Sequence, residues 1–149
     1  MNFADLIKTG QLVKETTSKH KIAEFLQFAE EELSAAEFNL AKFPLTAYKS
    51  AYDALMHAGN ALIRHYGYRP TTKYTHATIT EFVDRILGKD FGHLASTFKR
   101  MRRKRHPLQY DAKFSESRSE VKKSIAQSKA LVRKIEEHVK IKPLQGRLF

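Results

Sequence analysis

The sequence contains no cysteine, which removes disulfides, thiolate-bound metals and cysteine nucleophiles from consideration. It has no long apolar run. Its wholly apolar stretches are a few residues each, far short of the roughly 20 that cross a bilayer. The opening, MNFADLIKTGQLVKE, shows no basic leader followed by an apolar core, so no signal peptide is expected. Internal repeats, low-complexity tracts, long linkers and convincing strand alternation are missing too. These absences lead us to expect a soluble, cytoplasmic protein with no membrane partner. Its 149 residues suit a single domain with a core of its own.

Acidic residues are also scarce in one part of the chain. Residues 1–95 carry 11 Lys or Arg and 11 Asp or Glu, which cancel, whereas residues 96–149 carry 16 and 5. The whole net charge of +11 therefore belongs to the last third. A one-sided excess of this kind suits a polyanionic partner, although the same charge also serves solubility.

What is present is helical periodicity. After Ser18, the residues Ile22, Phe25, Leu26, Ala29, Leu33, Ala36 and Leu40 recur at three- and four-residue steps, the stripe of an amphipathic helix. Pro44 suits the first turn of a second helix, where its missing N–H has no partner to lose. That helix carries Leu45, Tyr48, Tyr52, Leu55, Met56, Gly59, Leu62, Ile63 and Tyr66 and stops at Gly67, with Pro70 beyond. Ala51, Ala54, Ala58, Gly59 and Ala61 allow a neighbouring helix to approach closely. Ile79, Phe82, Val83, Ile86 and Leu87 mark a third helix, ending at Gly88. Leu94, Phe98 and Met101 mark a fourth, which is expected to break before Pro107. Ser117 and Glu120 form a capping-box pattern ahead of a long basic helix whose apolar side holds Val121, Ile125, Leu131, Val132, Ile135 and Val139. Residues 1–17 read as a helical turn and a connector punctuated by Gly10. The expected fold class is an all-α, four- to five-helix up-and-down bundle spanning 1–142, with residues 143–149 as a flexible tail.

The fourth helix runs into FKRMRRKRHPLQYD, where six of the eight residues 98–105 are Lys or Arg. On a helix, only Phe98 and Met101 of this run face inward. Like charges three and four apart repel by a few tenths of a kcal/mol per pair. Either acids of the same chain, such as Glu30, Glu31 and Glu32, offset them, or an external phosphate backbone does. In the second case Lys99, Arg102, Arg103, Lys104, Arg105 and Tyr110 are candidate contacts for RNA or a nucleotide. A chemical role is also conceivable: metal-free RNA cleavage needs a base for the 2′-hydroxyl and a cation for the phosphorane oxyanion. His106 suits the first task, and Arg100 or Arg102 the second, six and four residues before it. Neither reading requires a metal or cofactor. His57, His65 and His93 show no metal-ligand spacing. Tyr48, Tyr52 and Tyr66 lie on an apolar stripe and are expected in the core or in a dimer contact.

Taken in order, DLIKTGQLVKE, AEFLQFAEEELSAAE, AYDALMHAGNALIRHYGYRP, the single histidine of YTHATITEF and MRRKRHPLQYD resemble the HEPN domains of prokaryotic toxin–antitoxin and defence systems. The resemblance implies a helical bundle that commonly forms homodimers, and it singles out His76 as a packing or capping residue. It also implies a cognate antitoxin or a nucleotidyltransferase as a partner. Catalytic members place four to six residues between an arginine and a histidine, a spacing met by Arg100 and His106 with five between them. Met101 stands where a polar residue often follows that arginine, and Tyr110 lies four residues beyond His106 rather than two. Arg105 with Tyr110-Asp111 fits the non-catalytic pattern. A binding role and a metal-independent endoribonuclease both follow, the first favoured by these departures.

The last residues, KPLQGRLF, are similar to the short motif by which bacterial proteins dock on the sliding clamp. Gln145 would satisfy the groove's rim, and Leu148 and Phe149 would fill it. The same two apolar side chains suit packing back onto the bundle or across a dimer.

Overall fold

The structure, a computed structural model, describes residues 2–110, 114 and 116–144, with the backbone alone over 106–110. Helix α1 (Ala4–Lys8) leads through Gly10, at φ 76°, into strand β1 (Leu12–Lys14). Helices α2 (Lys19–Asn39) and α3 (Pro44–His65) form the central hairpin. Strand β2 (Tyr68–Pro70), helix α4 (Thr75–Tyr110) and helix α5 (Arg118–Val139) complete the chain. The fold is all-α, as the periodicity implies.

Local chemistry sets most boundaries. The Ser18 hydroxyl accepts from the Lys21 N–H and starts α2. Pro44 opens α3, and Gly67, at φ 86°, turns the chain away from its end. Ser117 and Glu120 close the reciprocal capping box of α5. Lys140, at φ 57°, ends that helix in the left-handed conformation, and its N–H bonds to the Glu136 carbonyl.

Helix α3 is the axis of the core. Tyr48, Ala51, Tyr52, Ala54, Leu55, Ala58, Ala61, Leu62 and Ile63 are all fully buried, since α2, α4 and α5 pack around it. Gly59 marks the closest approach of α4. A Cβ there would meet the Ile79 Cγ2 at 2.3 Å, so only glycine fits without displacing a neighbour.

Three features depart from the sequence reading. The connector contains β1, which pairs antiparallel with β2 in the register Leu12 to Pro70, Val13 to Arg69 and Lys14 to Tyr68. Glu15 extends this ribbon, taking hydrogen bonds from Arg64 at 2.7 Å and Arg69 at 3.0 Å. The third and fourth helices are both present as the two limbs of α4, but they are divided at a non-helical Phe91 (φ −130°, ψ 44°), three residues beyond the expected stop at Gly88. Gly88 and Gly92 flank the kink and weaken the helical ladder on both sides of it. The bend is sharp. Lys99 reaches Asp84 at 2.8 Å, whereas 15 residues of straight helix span roughly 22 Å. Finally, α4 does not break before Pro107 but runs on to Tyr110. A proline in the last turn removes a single ladder hydrogen bond, which a terminal turn tolerates better than a helix interior.

Candidate functional site

The second limb of α4, residues 92–110, distributes its cations by helical position. Phe98 and Met101 are fully buried, as expected. Arg105 continues their stripe, seven residues after Phe98, so a guanidinium occupies what would be the next core position. It lies over the ring of Tyr52, 5.4 Å from the centroid. Its Nε is buried and finds no hydrogen-bond partner among the described residues.

Three further cations go to structural work. Arg100 and Lys104, one turn apart, face α5 and the residues just ahead of it, respectively. Arg100 donates to Ser124 Oγ and Gln127 Oε1, both at 3.2 Å. Lys104 stands 2.9 Å from the buried carboxylate of Glu116. Lys99 pairs with Asp84 on the first limb of α4. The acids that offset part of the run are thus Asp84 and Glu116, not the Glu30–Glu32 cluster, whose Glu30 pairs with Arg133 of α5. No carboxylate among the described residues forms an ion pair with Arg102, Arg103 or Arg105. Arg103 is exposed, and Arg102 and Arg105 are half-buried.

Arg105 covers one of a pair of rings that the sequence reading assigned to the core or a dimer contact (Tyr52) and to packing or capping (His76), and Arg102 adds positive potential there. Tyr52 Oη and His76 Nδ1 are 2.8 Å apart. The two rings are nearly parallel, 6° between planes, with centroids 5.7 Å apart. Burial pushes the Tyr52 phenol up to about 12, against the pull of Arg105 and Arg102. Burial also lowers the pKa of His76, and Arg105 and Arg102 add to the effect while Asp53 opposes it. At neutral pH the pair is therefore a phenol and a neutral imidazole. The signal for this site was present in the register of Arg105 on the Phe98–Met101 stripe. The Tyr52–His76 contact, between residues far apart in sequence, was not.

The remaining candidates fall elsewhere. His106 and Tyr110 stand on the helical backbone of α4, but their side chains lie outside the described part of the structure. Residue 106 is one helical turn beyond Arg102 and well round the helix from Arg100. His57 is half-buried against Phe28, its ring centroid 5.5 Å away, and burial lowers its pKa. No cluster of metal-ligating side chains occurs among the described residues, and none of their helices is long and apolar enough to cross a membrane. Gln145, Leu148 and Phe149 lie outside the described residues. The last described residue, Leu144, touches α2, its N–H reaching the Ala23 carbonyl at 3.4 Å.

An α-helical bundle built on a central hairpin, with a basic limb before its last helix, is the class of protein these features define. The HEPN domain matches residues 22–138, from the first turn of α2 to the last turn of α5. The chain belongs to that family. No curated protein matches it.

Proposed function

We propose that this HEPN protein binds RNA or a nucleotide through the basic limb of α4, in a toxin–antitoxin or defence setting and as a homodimer. One observation carries the reading: Arg102, Arg103 and Arg105 have no carboxylate partner among the described residues, while Lys99 and Lys104 on the same limb do. A fold that neutralises Lys99 and Lys104 and leaves the guanidinium groups of the run without carboxylates among the described residues, Arg100 being held only by the neutral Ser124 and Gln127, retains a net attraction for phosphate. Family membership supports the setting.

The test is the affinity for a fluorescent single-stranded RNA across a salt series. Log affinity should fall linearly with log salt, by about 0.7 for each phosphate neutralised. Replacing Arg102, Arg103 and Arg105 together with Gln should weaken binding at least tenfold and flatten the slope. Affinity indifferent to both salt and the triple substitution would overturn the proposal.

The continuity of α4 favours one second reading. Since the helix does not break at Pro107, residue 106 follows Arg102 by one turn, which supports Arg102 over Arg100 as the cation for His106 in a ribonuclease centre, although Arg100 is the one at the family's spacing. Incubating the protein with RNA in EDTA tests it. Cleavage that survives His106→Ala would remove the assignment.

A further inference from the structure

Apart from the Asp53 carboxylate, the polar groups that bear on the Tyr52 ring among the described residues are donors or are already used. The phenol of Tyr52 belongs to a fully buried residue, so its proton requires an acceptor. His76 Nδ1 is the partner the structure supplies, at 2.8 Å. Were Nδ1 to carry a proton and donate instead, the phenolic hydrogen would be stranded in the core, at a penalty of about 1–3 kcal/mol. Tyr52 therefore donates and Nδ1 accepts. A neutral imidazole has one proton, and with Nδ1 bare it resides on Nε2. His76 is on an exposed position in the first turn of α4, so this N–H belongs to a ring with access to solvent.

The Tyr52 ring that holds it is also covered by a guanidinium, a group that can only donate. Arg105 lies over the same Tyr52 ring, and its buried Nε has no acceptor among the described residues. Arg102, three residues earlier, also bears on both Tyr52 and His76. Asp53 is the acidic group that influences the imidazole, and it sits next to Tyr52 on α3. A fixed neutral N–H on the ring that Tyr52 holds, with the Arg105 guanidinium over that same Tyr52 and the positive potential of Arg102 added, suits a tetrahedral anion, whose several oxygens accept from different directions.

From this geometry we infer that His76, held in its Nε2–H form by Tyr52, is a direct phosphate contact that acts with Arg102 and Arg105 on one phosphodiester of the bound RNA. The inference rests on the RNA-binding reading above and assigns it a residue on another limb of α4. His76 is a donor here and not a base, because the nitrogen that faces the ligand already holds its proton.

Two measurements test it on the full chain. The first needs no variant. Nitrogen-15 imidazole spectra of the wild type should show His76 with a bare Nδ1 and a protonated Nε2, and a single-stranded RNA should shift the Nε2 resonance. A protonated Nδ1, or an Nε2 signal indifferent to RNA, overturns the inference. The second compares substitutions in the RNA titration. His76→Phe should weaken binding about tenfold, the scale of one hydrogen bond to a charged acceptor. His76→Gln, which restores an N–H donor, should recover most of that loss, and neither should change the salt slope. Adenosine monophosphate as competitor shows whether a single phosphate suffices. If His76→Phe binds as wild type while Arg102→Gln/Arg105→Gln does not, the His76 assignment falls and the basic-limb reading stands. If every variant binds as wild type, both fall.

Discussion

Tyr52 and His76 are joined by a 2.8 Å hydrogen bond that ties the middle of α3 to the first turn of α4. It connects the most buried helix of the bundle to an exposed ring, so the phenol fixes a group that solvent reaches. Tyr52→Phe removes that hydrogen bond without changing ring packing. It should lower stability by about 1 kcal/mol, read as a shift in the denaturant midpoint, and release the His76 ring to mixed tautomers.

The same pair predicts a pH dependence. The pKa of His76 is lowered by burial first, then by Arg105 and Arg102, against Asp53. The folded protein therefore takes up its proton less readily than the unfolded chain, and stability declines as pH falls below the ordinary histidine value of 6.5. In the free protein, a proton titration curve for His76 should have its midpoint below that value. Arg105→Gln should move it upward. A midpoint above 6.5 would contradict the placement of the arginines around the ring.

How much of this was legible follows from how local each signal is. Pro44, Gly67 and the Ser117–Glu120 box act within a few residues of themselves, and each set the boundary its chemistry demands. The β ribbon has three residues per strand, too few for alternation to show, and its partners lie more than 50 residues apart. The kink at Phe91 was misplaced to Gly88 because the bend uses both flanking glycines and is fixed by tertiary contacts, among them Lys99 with Asp84 and Lys134 over the Phe91 ring. Arg105 was read as one more surface cation, although its register with Phe98 and Met101 assigned it to the core stripe. Nothing in the sequence pairs Tyr52 with His76.

Gly59 offers a sharp packing test. Its missing Cβ leaves room for Ile79 and Val83 of α4, with the Ile79 Cγ2 2.3 Å from where that Cβ would be. Gly59→Ala gains helix propensity but overpacks a fully buried contact. The net effect should be a loss of about 1–3 kcal/mol in chemical denaturation. A neutral or stabilising alanine would mean that α3 and α4 separate more easily than their packing implies.

Glu136 of α5 faces Glu30 of α2, with Arg133 and Glu137 nearby. Burial and then Glu30 push the Glu136 carboxyl up to about 8, from an ordinary 4.5. The folded state thus keeps a proton that the unfolded chain gives up near 4.5. The associated stability is fully present below that pH and is lost as pH rises through about 8. Thermal midpoints should therefore fall from about pH 5 to pH 8 and level off above that. Glu136→Gln, which cannot ionise, should flatten the decline and raise the midpoint at pH 9 by about 2–4 °C for each kcal/mol gained.

The division of labour along the basic limb gives the most direct contrast, between Lys104 and Arg103. Lys104 holds a carboxylate, Glu116, whose side chain is only 2% exposed, while Arg103 is exposed and has no ion-pair partner among the described residues. Lys104→Met leaves that buried carboxylate without its cation. The loss should be about 2 kcal/mol, less than the 3–5 typical of a fully buried pair because Lys104 is itself partly in water. Adding Glu116→Gln to Lys104→Met should recover part of the loss, since the uncompensated charge is then gone. Arg103→Met should stay within about 0.5 kcal/mol of wild type in stability, yet lower RNA affinity and reduce the salt slope by about 0.7. Two adjacent cations would then differ in opposite senses on two measurements, one holding the fold and the other serving the ligand. If Lys104→Met leaves stability unchanged, or Arg103→Met destabilises the bundle without altering RNA affinity, the division along α4 is wrong.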